Sequence, residues 1–360
     1  GDLMLDRFVD GTVNRISPEA PVPILSQGRV RQMPGGAANV ACNLAQMGLH
    51  VHLIGVCGDD EAGKALRDEL AKLPAIRFDP VTITGRPTSL KTRFRAGSQQ
   101  ILRVDDEVTS DIDAAAAEQF SKYALPAIQD ADLVVLSDYA KGTLPPLLLE
   151  KIIAHAKAKG KMIIADPKRA DISVYSGVDL LTPNLAELQN TTDQILSSIE
   201  AIGQAATALA KEFGIGSILT TMSARGMMLS KADGTQFHDP ASARDIFDVS
   251  GAGDTVVAMI AGALAAGADL EDAVRLANHA AGVAVGKSGT AIVVPGEVLA
   301  HLAGTPPPTD WPSVAMQCTN WRGAGQKIAF ANGCFDLLHP GHIHLLSEAA
   351  QNADKLVIGL

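Results

Sequence analysis

The stretch DVSGAGDTVVAMIAGALAAG at 248–267 contains the residues best suited to catalysis. Gly251, Ala252 and Gly253 are small residues that precede an apolar run with helical character. Because the first amides of a helix have no partners within it and lie at the positive end of its dipole, this turn predicts a phosphate site. Asp254 would lie in that site, where a carboxylate can accept a proton from a hydroxyl group that attacks a phosphate. The alternative is that Asp254 only caps the helix.

A second group of polar residues lies in TPNLAEL at 182–188, directly after an apolar run. Asn184 and Glu187 are three residues apart and therefore share one face of a first helical turn. Their oxygens could hold a hydrated Mg²⁺ and a nucleotide phosphate, because Mg²⁺ prefers oxygen ligands and keeps several waters. The alternative is a helix cap in which Glu187 completes a capping box.

Two further segments place charged side chains at the ends of predicted strands. ADPKR at 165–169 contains Lys168, a natural phosphate contact, and SDYAKG at 137–142 contributes Asp138 and Lys141. In parallel sheets, ligands bind beyond the carboxyl ends of the strands. These side chains are therefore candidates for contacts with a ligand.

Glycines before a helix form another candidate contact. In MPGGAANVACNLAQMG at 33–48, Gly35 and Gly36 precede a helical pattern, and Asn39 lies in its first turn. Because glycine has no side chain, a ligand could approach the backbone closely at this point.

One apparent phosphate loop is rejected. GDDEAGKA at 58–65 matches the G-x-x-x-x-G-K part of a P-loop, but Ala65 stands where Ser or Thr would bind Mg²⁺. Acidic residues also fill the loop in which phosphates would have to lie. We predict a strand, a turn and a solvent-facing helix instead.

The elements that position these residues alternate along the chain. Helical patterns separate short apolar runs, and this order predicts βαβ units and a mostly parallel sheet that helices cover on both faces. The polar residues at the strand ends are Asp138, Asp166 and Asn184. The predicted strands are 51–56, 132–137, 161–166, 179–183 and 217–221.

Two regions interrupt this order. Residues 12–31 and 86–105 alternate apolar and polar residues without a helical pattern between them. This alternation predicts short antiparallel strands that project from the main body as a lid. A solvent-facing strand pair is the alternative.

The composition excludes several classes of protein. Of the 360 residues, 47% are hydrophobic and 19% are charged, so the chain can bury a large core. A formal net charge of −10 argues against a general binder of nucleic acid or anionic membranes. The four cysteines form no CxxC pair, and no apolar run reaches membrane-spanning length. We therefore expect free thiols, a cytoplasmic protein and small-molecule partners.

A second phosphate motif lies in FANGCFDLLHPGHIHLL at 330–346. His339 and His342 flank Pro340 and Gly341 at the start of a predicted helix. Two imidazoles beside a helix start can hydrogen-bond the phosphates of ATP and stabilise the transition state of nucleotidyl transfer. The alternatives are structural histidines, or a zinc site with nearby ligands such as His344.

The residue composition changes at 304–326, in GTPPPTDWPSVAMQCTNWRGAGQ, where prolines and small polar residues predict a linker. We predict a first domain at 1–305, a linker at 306–326 and the start of a second domain at 327–360. Both ends look clipped. A missing first strand would leave the sheet edge with Asp6 poorly fixed, and the second domain would be incomplete.

The segments GGAANVACNLAQMG, TPNLAE and DVSGAGDT together resemble the ribokinase-like (PfkB) family of sugar kinases, over residues 1 to about 300. The resemblance implies an α/β fold with a mostly parallel sheet, helices on both faces and a small β lid. It also implies the cofactors ATP and Mg²⁺, and a homodimer that forms through the lid.

The same resemblance implies roles for individual residues. Asp254 would be the general base. The amides of Gly251, Ala252 and Gly253 would form an anion hole for the transferring phosphoryl group. The residues implied for ATP are Asn184, Leu185, Ala186, Glu187 and Lys168, with Glu187 also holding Mg²⁺ indirectly. The residues implied for the substrate are Asp6, Gly35, Gly36, Asn39, Arg93, Arg103, Asp138 and Lys141.

The later stretch GCFDLLHPGH resembles the H-x-G-H motif of the cytidylyltransferase-like nucleotidyltransferases, with His339, Gly341 and His342 at the motif positions. A sugar kinase joined to such a domain resembles the two-domain enzymes of ADP-heptose biosynthesis in lipopolysaccharide formation. This implies ATP-dependent phosphorylation of D-glycero-β-D-manno-heptose 7-phosphate at O1, and adenylylation of heptose 1-phosphate by the full-length protein. The alternatives are another sugar kinase of the family or a catalytically silent sugar-binding module.

A sugar that already carries a phosphate needs a positively charged pocket. The proposed lid contains Lys91, Arg93, Arg95 and Arg103. Strand alternation would send the first three of these side chains to one face, where some could pair with the sugar phosphate. For each of them, a solvated strand face is the alternative.

Overall fold

The computed structural model describes residues 1–97, 99–242, 249–287, 289–290, 292–302, 311–323, 325–333 and 340–359. The chain divides into two compact units, Gly1–Leu299 and Ala300–Leu360. The strands are β1 (Leu3–Ile16), β2 (Pro23–Gly36), β3 (Val51–Cys57), β4 (Ile76–Thr82), β5 (Ser89–Ala96), β6 (Gln99–Asp106), β7 (Leu133–Ser137), β8 (Met162–Asp166), β9 (Leu180–Leu181), β10 (Ser217–Thr221), β11 (Met227–Lys231), β12 (Gln236–Asp239), β13 (Ile328–Asn332) and β14 (Lys355–Gly359). The helices are α1 (Ala37–Gln46), α2 (Glu61–Leu70), α3 (Ala114–Asp130), α4 (Pro146–Ala158), α5 (Leu185–Thr192), α6 (Ile199–Glu212), α7 (Ala252–Ala265), α8 (Leu270–Val285), α9 (Pro295–Leu302), α10 (Trp311–Gly323) and α11 (Pro340–Gln351).

The main sheet of the first unit has six strands in the order β12-β11-β10-β9-β8-β7. Strands β7 to β10 are parallel, and β11 and β12 add an antiparallel edge. All five strands predicted from the sequence are present as β3, β7, β8, β9 and β10, with small shifts at their ends. The mostly parallel sheet is therefore confirmed.

Successive residues of the main sheet pack on opposite faces. Ile163 and Ile218 join one core cluster with residues of α3, α4 and α6. Ile164 and Leu219, their neighbours in sequence, join another with residues of α7 and α8. Because side chains alternate across a strand, helices cover the sheet on both sides and both faces are apolar.

The predicted lid is a four-stranded sheet in the order β2-β1-β5-β6. Strand β1 pairs antiparallel with β2 and parallel with β5, and β6 pairs antiparallel with β5. The strands are longer than predicted, and the parallel pairing of β1 with β5 was not expected. Asp6 lies in the interior strand β1 and is 2% exposed, so the expectation of a poorly fixed edge at this residue is wrong.

Residues 1–2 connect the main sheet to the parallel pair β3–β4. Asp2 forms a bridge with Val56 of β3, and its amide donates to the Ser137 carbonyl of β7 at 2.9 Å. The terminal amine of Gly1 donates to the Ile54 carbonyl at 2.8 Å. The first two residues thus bridge two sheets of the unit.

The rejected P-loop is a turn followed by α2, as predicted. Asp60 caps this helix and accepts from the Gly63 amide at 2.8 Å. It also accepts from the Thr88 amide at 2.8 Å. A carboxylate of the chain therefore lies at the helix start, where a P-loop would hold a phosphate.

The second unit contains the parallel strand pair β13–β14 with α10 and α11. Helix α11 begins at Pro340, as predicted for the H-x-G-H segment. Helix α10 lies within the predicted linker 306–326, and 303–310 are outside the described residues. The predicted end of the first domain, residue 305, lies a few residues beyond Leu299. Within the described ranges, no helix has the length and apolar character needed to cross a bilayer.

Candidate active site

A cavity of about 190 Å³ lies beyond the carboxyl ends of β8, β9 and β10, at the start of α7. The residues predicted from the sequence that line it are Lys168, Asn184, Glu187, Gly251, Gly253 and Asp254. The other lining residues are Tyr139, Asp166, Thr182, Thr221, Val256 and Val257. The predicted phosphate turn and the predicted nucleotide segment therefore meet in one site.

The turn before α7 matches the predicted anion site. Helix α7 begins at Ala252, and Gly251 precedes it with a φ of 76°. A Cβ at Gly251 would be strained in this conformation and would lie 2.9 Å from Asn39 Nδ2. A Cβ at Gly253 would meet nothing within 4 Å. The backbone at the helix start is thus close to Asn39 on one side and open on the other.

Asp254 lies in the first turn of α7 and is 6% exposed. Its Oδ2 accepts from Asn39 Nδ2 at 2.7 Å, and its Oδ1 accepts from the Tyr139 hydroxyl. Burial raises the pKa of Asp254 to about 6, although both hydrogen bonds act to lower this pKa. The carboxylate is held by other elements and remains ionised at neutral pH. This arrangement suits a proton acceptor better than a helix cap.

Asp166 is a second acid in the cavity, and it is half-buried. It ends β8, and its Oδ1 accepts from the Thr182 hydroxyl at 2.9 Å. Burial and the nearby charge of Asp254 raise the pKa of Asp166 to about 7. Asp166 was predicted as a polar strand end and not as a site residue.

Asn184 and Glu187 form the capping box of α5. Asn184 Oδ1 accepts from the Glu187 amide at 3.0 Å, and Glu187 Oε2 accepts from the Asn184 amide at 2.8 Å. Glu187 Oε1 also accepts from Lys168 Nζ. The capping alternative is thus present, but both side chains still line the cavity. Leu185 and Ala186 form the rest of the first turn.

Two carboxylates of the cavity could take part in holding a metal ion. In the part of the chain that the structure describes, no group of three or more His, Cys, Asp or Glu side chains is arranged to hold a metal. Asp166 and Glu187 nevertheless place two carboxylates in the same cavity. Mg²⁺ usually takes one or two protein carboxylates together with substrate phosphates and water, so these donors fit a Mg–nucleotide complex.

Of the residues predicted to hold the sugar, Asn39 contacts Asp254, and none lines the cavity. Asn39 bonds the Asp254 carboxylate directly. Gly35 packs so closely on Asp6 that a Cβ there would lie 2.5 Å from Asp6 Oδ2. Gly36 precedes α1 with a φ of 57°. The Asp6 carboxylate accepts from Arg93 Nη1, which ties this group to the lid.

Asp138 and Lys141 have other partners. Asp138 is fully buried and accepts from Arg169 Nε at 2.8 Å and from the Tyr175 hydroxyl at 2.7 Å. Lys141 Nζ donates to Glu107 Oε1 at 2.6 Å. These contacts fix the loop after β7, and neither residue belongs to the lining of the cavity.

One face of the lid carries a row of cations. Phe8 pairs with Arg31 and Arg93 across the strands, and Arg93 pairs with Arg103. The guanidinium groups of Arg31, Arg93 and Arg95 lie 5.6, 5.2 and 5.3 Å from the centre of the Phe8 ring. We name Arg31, Arg93 and Arg95 the lid arginine cluster; Arg31 was not predicted as a site residue.

Carboxylates pair with these cations. Asp10 accepts from Arg95 at 2.7 Å and pairs with Arg31 at 3.2 Å. Lys91 pairs with Asp105 at 3.2 Å and with Glu107 at 2.9 Å. Arg103 pairs with Asp105 at 2.9 Å. The register places Lys91, Arg93 and Arg95 opposite alternate residues of β1, as strand alternation predicted.

Tyr139, Thr182 and Thr221 line the cavity but were not predicted as site residues. Each lies at or just after the carboxyl end of a main-sheet strand. Their position relative to the strand ends was therefore the available signal. The bond between Tyr139 and Asp254 joins residues 115 positions apart, and no local pattern marks such a pair.

The second predicted site lies in the other unit. Gly341 and His342 are in the first turn of α11, as expected for a helix start. His339, the first histidine of the motif, lies outside the described residues.

Two family models match the chain. One is described as pfkB family carbohydrate kinase and matches residues 2–296. The other is described as Cytidylyltransferase-like and matches residues 330–360. The order of the two matches is the order predicted from the motifs.

Curated relatives match along the whole chain. Proteins named Bifunctional protein HldE from Azorhizobium caulinodans and Paramagnetospirillum magneticum are both 45% identical to it. The matches cover 100% of this chain and 77% and 75% of the two relatives.

Solved structures match most of the chain. Arabidopsis thaliana ribokinase complexed with ribose and ATP has a TM-score of 0.65 at 21% identity, over 84% of this chain and 96% of that chain. Escherichia coli phosphofructokinase-2 in complex with fructose-6-phosphate has a TM-score of 0.69 at 19% identity, over 84% and 96%. At this identity the likeness shows the fold.

The comparisons confirm the predicted ribokinase-like fold, the predicted sugar kinase and the nucleotidyltransferase-like segment that follows it. The match of residues 2–296 includes the whole cavity and the lid. The chain belongs to the pfkB family of carbohydrate kinases.

Proposed function

We propose that this site transfers the γ-phosphoryl group of ATP to O1 of D-glycero-β-D-manno-heptose 7-phosphate, in the biosynthesis of ADP-heptose for the lipopolysaccharide core. The observation that carries the proposal is that Asp254 and the turn before α7 face the same cavity as Asn184 and Glu187. Membership of the carbohydrate kinase family and the HldE relatives support a heptose phosphate as the substrate.

The proposed reaction begins with proton transfer from O1–H of the sugar to the Asp254 carboxylate. O1 forms a bond to the γ-phosphorus of ATP while the bond from that phosphorus to the bridging β-γ oxygen breaks, and ADP leaves with the electron pair. The amides of Gly251, Ala252 and Gly253 stabilise the charge on the moving phosphoryl group. Lys168 balances charge on the phosphates.

The Mg²⁺ that accompanies ATP would be held by Glu187, through water, with Asp166 as a further carboxylate. When bound, it neutralises phosphate charge. The nucleotide would contact the start of α5 at Asn184, Leu185 and Ala186. Lys168 would exchange part of its pairing with Glu187 for a phosphate contact.

The sugar would lie between Asp254 and the lid. Asp6, Gly35, Gly36 and Asn39 surround this position, and the lid arginine cluster offers planar donors for the 7-phosphate. In the structure, Asp10 and Asp6 pair with these arginines. A phosphate dianion would compete with these carboxylates for the arginines. Arg103, which lies opposite Arg93 on β6, would add positive charge.

The lid also offers a surface for a homodimer. The lid face opposite the cations carries an apolar row across all four strands, formed by Val30, Val9, Phe94 and Leu102. The ends of this row are Val30, 43% exposed, and Leu102, 54% exposed. Pairing two such faces would bury apolar surface.

In the complete protein, the second unit would contribute to adenylylation of heptose 1-phosphate through His339, Gly341 and His342. We expect both activities to occur in the cytoplasm, where ATP and free sugar phosphates are available.

The proposal is tested with a panel of free and phosphorylated sugars, incubated with ATP and Mg²⁺ and analysed by ³¹P NMR. We expect a new anomeric phosphate signal, with the 7-phosphate retained, only with the heptose 7-phosphate. Turnover of a different sugar would instead indicate another kinase of the family. Tight sugar binding without turnover would indicate a silent module.

A further inference from the structure

The hydroxyl of Tyr139 contacts the carboxylate that accepts the sugar's proton in the proposed reaction. We infer that Tyr139 is a positioning residue for Asp254: its hydroxyl fixes the carboxylate and favours its ionised form. The inference rests on the proposed function, because it assumes that Asp254 is the base.

The contact geometry assigns one donor to each carboxylate oxygen. The Tyr139 hydroxyl donates to Oδ1 of Asp254, and Asn39 Nδ2 donates to Oδ2 at 2.7 Å. A carboxylate has about four acceptor positions. Two therefore remain for a substrate hydroxyl, while the two existing bonds prevent rotation of the group.

Tyr139 is suited to be a permanent donor. Burial and the charge of Asp254 raise the pKa of Tyr139 well above its ordinary value. The phenol therefore keeps its proton at every pH at which the enzyme could work. It can donate to Asp254 but cannot replace it as a base.

The backbone around Tyr139 is held firmly. The buried carboxylate of Asp2 accepts from the amides of Tyr139 at 2.7 Å, Lys141 at 3.0 Å and Thr143 at 3.1 Å. Ala140 has a φ of 53°, a left-handed conformation that costs free energy in a residue with a side chain. The loop after β7 keeps this conformation because Asp2 binds three of its amides.

Tyr175 provides a matched comparison within the same unit. Its hydroxyl donates to Asp138 Oδ2 at 2.7 Å, and its side chain is fully buried. Tyr175 also has a raised pKa, caused by burial and by Asp138. It reproduces the chemistry of the Tyr139 contact without touching Asp254.

The test is the pH profile of kcat/KM for Tyr139→Phe and Tyr175→Phe, because kcat/KM reports the pKa values of the free enzyme. Because the pKa of Asp254 is about 6, activity of the unmodified protein should fall below that pH. Loss of a hydrogen bond to a charged group should move this acid limb upward by about one pH unit or more in Tyr139→Phe. At pH 6 the rate should then fall about fivefold, with recovery at higher pH. Tyr175→Phe should keep the limb near pH 6.

A second measurement does not depend on turnover. The pKa of Asp254 is read by ¹³C NMR of labelled carboxyl groups, and the signal is assigned by its absence in Asp254→Asn. We expect a higher pKa of Asp254 in Tyr139→Phe than in the unmodified protein. If Tyr139→Phe does not fold, 3-fluorotyrosine at position 139 should move the pKa downward, since a more acidic phenol donates more strongly.

An unchanged pKa of Asp254 in the Tyr139 variants would overturn the inference, as would a loss of rate that is equal at every pH. Full activity of Asp254→Asn would instead overturn the proposed function, and the NMR titration would still report on the contact. The two failures are therefore distinguishable.

Discussion

The cavity holds the buried Asp254 and the half-buried Asp166, whose pKa values are raised to about 6 and about 7. Without bound cation or substrate, each carboxylate loses hydration on folding, and the two charges repel each other. A Mg–nucleotide complex would bring positive charge to this site. The two acids thus reduce the stability of the fold, and the same charges provide binding and proton transfer in the proposed reaction.

This cost predicts a stabilising substitution, Asp166→Asn. The folded-state pKa of Asp166 is raised from 3.8 to about 7, so between these values the folded protein binds more protons than the unfolded chain. Stability from this group therefore falls as pH rises from about 4 to about 7, and the loss is complete above that range. Thermal unfolding without nucleotide should give Asp166→Asn a Tm a few degrees above the unmodified protein at pH 8.

At pH 4 the same two proteins should have nearly equal Tm values. Asp113→Asn is the matched control, because Asp113 is an exposed helix cap that Asn can replace. The Tm of Asp113→Asn should equal the Tm of the unmodified protein at every pH. A lower Tm of Asp166→Asn at pH 8 would contradict the account, since the bond to Thr182 would then outweigh the charge.

At the level of elements, two helix starts provide the contacts proposed for phosphates. Helix α7 begins after Gly251, and α5 begins at a capping box whose residues also line the cavity. Capping and ligand binding use the same polar groups, so the sequence pattern of TPNLAEL could not separate the two roles. A functional test must therefore compare the loss of a helix cap that lines the cavity with the loss of a helix cap elsewhere.

Asn184→Ala and Ser198→Ala provide this test. Ser198 caps α6 by accepting from the Ala201 amide at 3.1 Å and does not line the cavity. Each substitution should lower the free energy of unfolding by about 1 kcal/mol. Only Asn184→Ala should also raise KM for ATP, which steady-state kinetics measures. Equal kinetics for the two variants would show that Asn184 is only a cap.

Elements were predictable where the signal was local. The strand at 217–221 was placed correctly because a short apolar run between helical patterns identifies a buried strand. The lid was harder, because β1 pairs in parallel with β5, whose partner residues lie more than eighty positions later. Similarly, Asp254 belonged to a recognisable motif, whereas Tyr139 acquires its contact only when the loop after β7 folds onto α7.

For the whole molecule, net charge is a poor guide to local charge. The chain carries −10 overall, yet the lid presents arginines on one face and an apolar row on the other. In the proposed function the two faces have different partners, a sugar phosphate for the arginines and a second copy of the chain for the apolar row. Both follow from the alternation of side chains in one sheet.

The proposed dimer predicts that Leu102→Glu is monomeric. The substitution places a charge in the exposed apolar row, where burial against a second copy would be costly. Sedimentation velocity should show a dimer for the unmodified protein and a monomer for this variant. Leu147→Glu, at an 82% exposed position on α4, should remain dimeric. A monomeric unmodified protein would contradict the proposal.

The most direct measurement of the central claim is heptose 7-phosphate-dependent release of ADP by Asp254→Asn, with Asp269→Asn as the control. Asp269 is a helix cap on α8 that Asn can replace, so its variant should retain normal turnover. We expect kcat of Asp254→Asn to fall by about two to four orders of magnitude while sugar and ATP still bind. Turnover of Asp254→Asn at the rate of the control would contradict the assignment of Asp254 as the base.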